Sequence, residues 1–149
     1  MSKNPVLLGV ALTNRPHVKF RDAEVTIVSL NGEDMIRVPF LRKGEFKHPR
    51  GKLVFDDKFF TNILSNHHNK LADYKVGLDL HHKPELGAVA WFEEDMGGRV
   101  VQEGEFLVGY GKPTTPEALE AVRNSRFLYA SVEYHPNYSS NMLTKLEDS

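Results

Sequence analysis

Asn31-Gly32 stands between two runs that alternate apolar and polar side chains, and it constrains the fold more than any other short segment. A two-residue hairpin turn that matches the twist of its strands needs positive φ at both central positions, which Asn and Gly tolerate. Residues 23–30 set Val25 and Ile27 against Thr26 and Ser29, a period of two. Residues 35–41 read as the returning partner strand. The chain is therefore expected to build on antiparallel β structure.

The remaining segments fit that start. Residues 5–12 form an apolar run of strand length, stopped by Asn14-Arg15-Pro16. Residues 43–52 are polar and hold Pro49 and two glycines, which predicts a loop and a candidate lid. Asp56 is placed to cap a helix whose apolar positions Phe59, Phe60, Ile63 and Leu64 recur at helical spacing and which ends near His67. His67 and His68 lie in a polar stretch and are expected to be exposed. Residues 75–82 and 88–94 read as strands joined by Lys83-Pro84-Glu85-Leu86-Gly87, and Gly97-Gly98 marks a turn before strands at 99–102 and 105–111. Thr115 followed by Pro116 and Glu117 starts a second helix with Leu119 and Val122 on its inner side. Residues 127–135 form the last strand, ended by Pro136-Asn137, and residues 138–149 read as a frayed tail. No internal repeat or low-complexity segment interrupts the pattern. Many short strands with few helices predict a mixed α+β fold: one domain over residues 1–149, an antiparallel β-barrel decorated by two or three helices.

Composition narrows the chemistry. At 149 residues, 40% hydrophobic and 26% charged, the chain has ordinary globular usage and enough length for a core. It holds no apolar run of membrane-spanning length, and Met1-Ser2-Lys3-Asn4-Pro5 lacks the apolar stretch of a secretory signal, so a soluble intracellular protein without a membrane partner is expected. A net charge of -1 offers no basic face for nucleic acid. With no cysteine, disulfides, thiolate zinc sites and a cysteine nucleophile are excluded. Any covalent hydrolase chemistry would need a hydroxyl.

The segment Phe127-Leu128-Tyr129-Ala130-Ser131-Val132-Glu133 carries one such hydroxyl on a strand. Alternation groups Ser131 with Tyr129, Glu133 and His135 and sends Ala130, Val132 and Tyr134 to the other face. A strand serine is most often a small polar residue facing solvent, and it becomes a nucleophile only where an imidazole accepts its proton. His81 and His82, at the end of the strand that starts at Lys75, are the candidate bases. They fall on opposite faces, so only one of them can serve. For the same reason they make a poor metal site, and no carboxylate stands at ligand spacing to help them.

Three blocks give these residues a context. Leu78-Asp79-Leu80-His81-His82-Lys83-Pro84-Glu85-Leu86-Gly87-Ala88-Val89-Ala90-Trp91-Phe92 resembles the histidine motif of tailed-phage prohead maturation proteases of the Mu-like branch, an Asp-x-x-His-x-Pro segment followed by a Gly/Ala-rich Trp strand. Phe106-Leu107-Val108-Gly109-Tyr110, Thr114-Thr115-Pro116-Glu117-Ala118 and Tyr129-Ala130-Ser131-Val132-Glu133-Tyr134 are similar to that family's strand, short helix and serine strand. Residues 40–56 resemble the segment that precedes the histidine. Together the blocks cover residues 35–138. The family's Leu-Thr-Asn-x-Pro turn, which follows its serine strand, has its counterpart here at the amino terminus in Leu12-Thr13-Asn14-Arg15-Pro16, so the chain looks circularly permuted.

The resemblance implies an assemblin-like serine endopeptidase with Ser131 as nucleophile and His82 as general base, His81 being the alternative. The acidic position of related proteases is Gly9 here, which leaves Asp79 as third member ahead of Glu133 and His135, or a bare Ser/His dyad. Asn14 and Arg15 are the candidate oxyanion turn. It further implies phage scaffold and major capsid proteins as substrates, action in the host cytoplasm inside the assembling prohead, room for a homo-oligomer, and neither cofactor nor metal. The competing expectation, favoured by Gly9, is a catalytically inactive module that keeps the fold to bind capsid or scaffold.

Overall fold

The computed structural model describes residues 4–13, 25–48, 51–71, 75–80, 88–124 and 129–135. Its strands are β1 (Val6–Thr13), β2 (Thr26–Leu30), β3 (Glu33–Arg42), β4 (Gly44–His48), β5 (Gly51–Phe55), β6 (Gly77–Leu80), β7 (Ala90–Trp91), β8 (Arg99–Glu103), β9 (Phe106–Pro113) and β10 (Tyr129–His135). Two helices, α1 (Asp57–His68) and α2 (Pro116–Arg123), and a 3-10 turn at Glu94–Met96 complete the described elements.

Local chemistry explains most boundaries. Asn31 at φ 52° and Gly32 at φ 82° make the tight turn between β2 and β3. The Asp56 carboxylate accepts the Phe59 N–H at 2.8 Å and starts α1, and the Thr115 hydroxyl accepts the Ala118 N–H at 3.1 Å and starts α2. The segment expected to be a loop and lid is instead the β4–β5 hairpin, with Glu45 opposite Val54 and Lys47 opposite Lys52. Leu53 and Phe55 turn one face of β5 toward the core while Lys52 and Val54 are exposed, and it was the polar, proline-containing stretch ahead of them that read as a loop. The strand expected over 88–94 shortens to Ala90–Trp91 because the chain turns at once into the 3-10 segment.

Eight strands form one sheet in the order β10-β1-β6-β7-β9-β3-β2, with β8 on the other side of β9 from β3, and β4–β5 stand apart. Ladders are antiparallel except β1 with β6, which is parallel and departs from the antiparallel pattern expected. No ladder among the described residues closes the sheet into a barrel. The sheet is nonetheless strongly curled, because β10 approaches β3 although four strands separate them along the path. The curl wraps a core of Val10, Leu12, Ile36, Val38, Phe40, Phe60, Ile63, Leu78, Phe92 and Leu107, closed by α1. The fold is thus mixed α+β and rich in sheet.

Candidate active site

The serine strand lies beside the amino-terminal run. β1 pairs antiparallel with β10, placing Leu12 opposite Ala130, Ala11 opposite Ser131 and Val10 opposite Val132. On its other edge β1 pairs with β6, placing Ala11 opposite Asp79. Positions 131, 11 and 79 therefore form one row across three neighbouring strands. Val10, Leu12, Leu78, Ala130 and Val132 pack into the core. Alternation then puts the row on the opposite face of the sheet.

Two strand spacings separate position 131 from Asp79, about 10 Å between Cα atoms. A hydroxyl and a carboxylate cannot touch across that span, but an imidazole seated between them can bond both, as a nucleophile–base–acid relay requires. The residue between them is Ala11, whose methyl adds little bulk. Gly9, next along the same face of β1, would meet nothing within 4 Å if it carried a Cβ. Asp79 is half-buried. His81 and His82 follow β6 directly in sequence but lie outside the described residues, as do Asn14 and Arg15. Ser131 and Glu133 are placed by their ladder positions, and His135 stands opposite Val6 at the far end of β10.

No family model matches the chain, and no curated protein or solved structure does either. Its chemistry must be read from its own residues.

Two further polar clusters stand out. On the outer face of β3, β9 and β8, Arg37 bonds Glu103 at 2.8 Å, the Tyr110 hydroxyl donates to the same carboxylate, and the Arg99 guanidinium lies 4.9 Å from the centre of the Tyr110 ring. Burial pushes the Glu103 carboxyl up, but the bonds from Tyr110 and Arg37 and the charges of Arg37 and Arg99 outweigh it and hold the group below the usual range. Burial, aided by the bond to Glu103, raises the Tyr110 phenol.

The second cluster corrects an expectation. His67 is buried rather than exposed, with Nε2 3.1 Å from the Phe92 carbonyl and 3.9 Å from the Glu93 carboxylate. Its position was encoded, since Phe60, Ile63 and His67 follow the i, i+3, i+7 stripe of the buried helix face. His68, one step around the helix, is exposed and pairs with Glu94 at 2.9 Å.

Elsewhere, a shallow cleft of about 420 Å³ lies between Glu33, Asp34, Lys112 and the start of α2, and includes none of the candidate catalytic residues. Among the described residues no group of histidines and carboxylates could hold a metal ion, and no helix is long and apolar enough to cross a membrane.

Proposed function

We propose that the chain is a serine endopeptidase of phage head maturation, with Ser131 as nucleophile, His82 as general base and Asp79 as the carboxylate that orients it. The row of positions 131, 11 and 79 supports this reading best, because it sets the two ends of a relay one imidazole apart in a chain whose next residues after β6 are the two histidines. In the mechanism His82 accepts the Ser131 proton as the hydroxyl oxygen attacks the scissile carbonyl. The proton then passes to the departing amine, leaving an acyl-enzyme that water hydrolyses by the same relay in reverse. The Asn14-Arg15 turn that follows β1 is the proposed source of oxyanion donors. On this reading the curled sheet is a variant of the assemblin-like protease fold, the substrates are scaffold and capsid proteins, and the place of action is the prohead in the host cytoplasm.

A fluorophosphonate probe tests the reading. Stoichiometric modification at Ser131, found by peptide mass spectrometry, together with cleavage of co-expressed scaffold and capsid proteins is the expected result. An unmodified chain at saturating probe would instead favour a capsid- or scaffold-binding module.

A further inference from the structure

His67 and Glu93 are the buried ionisable pair among the described residues, and the proposed relay uses neither. A carbonyl only accepts, so the 3.1 Å contact with Phe92 O fixes a proton on His67 Nε2. Glu93 Oε1 accepts the N–H of Val76 at 2.8 Å, and the Phe92 N–H donates to the Val76 carbonyl at 3.0 Å. Both backbone groups of Val76 are thus taken, one by the Glu93 side chain and one by the residue that His67 holds. Val76 immediately precedes β6.

β6 itself is weakly specified. It meets β1 over Leu78, Asp79 and Leu80 and β7 over Gly77 and Leu78. No tight turn sets the register of a parallel pair, and a slip of one residue would replace Asp79 in the row by Leu78 or Leu80. Burying a histidine and a glutamate is costly, and a well-packed apolar pair of similar shape often serves stability as well or better. Such a pair has no directional bonds with which to grip Val76 and Phe92. The His68–Glu94 contact at 2.9 Å and the Lys70–Asp95 ion pair at 3.3 Å flank the same contact at the surface and fasten the end of α1 along the 3-10 turn.

We infer that His67 and Glu93 form a register lock for β6 and are positioning residues that hold Asp79 in line with Ser131. The functional half of this inference rests on the protease reading; the structural half does not. The absence of native cysteines makes a disulfide trap a clean readout of register. The pair Ala11→Cys/Asp79→Cys, directly opposed across the ladder, should cross-link readily in the otherwise native chain.

Adding His67→Leu and Glu93→Leu should cut that yield about tenfold and raise the yield of Ala11→Cys with Leu80→Cys, while thermal unfolding stays cooperative. An unchanged cross-link in the leucine background overturns the lock. Should the double leucine variant not fold, Glu93→Gln and Glu93→Leu decide singly. Glutamine keeps an acceptor for Val76 and should retain register and turnover within about twofold, whereas leucine should lower kcat by about tenfold at nearly constant KM. Equal behaviour of the two variants refutes the inference. If no form of the protein labels at Ser131, the protease reading fails and the cross-link still judges the lock.

Discussion

The β2-β3-β9-β8 arm and the β10-β1-β6 arm belong to one sheet but obtain their registers differently. The first is two hairpins laid edge to edge, each closed by a tight turn, at Asn31-Gly32 and at Gly104. Its outer face is further tied by Arg37, Glu103, Tyr110 and Arg99. The second arm brings together the start, middle and end of the chain, contains the parallel pair, and has no turn joining its strands. Glycine and alanine stand at positions 9 and 11 on the face of β1 away from Val10 and Leu12, and both are buried. Local turns set the register of the first arm, although its Ile36, Val38 and Leu107 share the common core. The second depends on core burial and on what grips its ends, and it carries the proposed chemistry.

Removing the central strand of the second arm should have the largest effect. Val10 and Leu12 are buried, and β1 bonds a strand on each edge. Each buried backbone group left unpaired costs about 1–3 kcal/mol, and several together exceed a typical net stability of roughly 5–15 kcal/mol. Deleting residues 1–16 should therefore unfold the domain, as seen by circular dichroism. In the intact chain the amides of residues 10–12 should exchange among the slowest. Fast exchange there would place β1 outside the sheet and dissolve the row at Ser131.

Next come substitutions at the proposed relay, expected to spare the fold. Ser131→Ala should abolish cleavage of capsid proteins with little change in thermal stability. Loss of a general base lowers rate about 10²- to 10⁴-fold, so His82→Ala should approach the serine variant while His81→Ala keeps most turnover. The opposite ranking would give the role of base to His81.

The two arms also differ in how far they could be read from sequence. The hairpin at Asn31-Gly32 and the helix starts at Asp56 and Thr115 were legible because each rests on side chains within a few residues of the backbone they serve. The β4–β5 hairpin was not, because its polar stretch with Pro49 reads as a loop and its apolar alternation is confined to Leu53 and Phe55 at the end of β5. His67 was misread because residue type was weighed above its place on the helix stripe. The parallel register of β1 and β6 has no local signature: it follows from the way the whole sheet curls, and with it comes the row that joins position 131 to Asp79. The serine candidate was visible as a residue type in a strand. Its place in one row with Asp79 was not.

A smaller contrast lies in the glycines. A Cβ on Gly109 of β9 would come within 2.6 Å of the fully buried Phe92 ring, whereas one on Gly9 would meet nothing within 4 Å. Gly109→Ala should cost about 1–3 kcal/mol through forced repacking. Gly9→Ala should be close to neutral in chemical denaturation. Comparable losses at both sites would mean that the outer face of β1 is as tightly covered as the core beneath β9.

The smallest expected effect belongs to the tie on the scaffold arm. The folded protein holds Glu103 below the ordinary carboxyl value of 4.5, so the ionised form is favoured by folding. The sign follows: its contribution is complete above the unfolded pKa and is lost as pH falls through the lower folded value. Because the Glu103 side chain is 37% exposed, solvent screens the pair and the contribution should be about 0.5 kcal/mol or less. Glu103→Gln should then lower the thermal midpoint slightly at pH 7, by an amount that persists to about pH 5 and shrinks toward pH 3. If the arm owes its register to its turns, that variant should leave amide protection across β8 and β9 unchanged at every pH. A loss of protection there at neutral pH would show that side-chain ties, and not the turns, hold the scaffold arm in place.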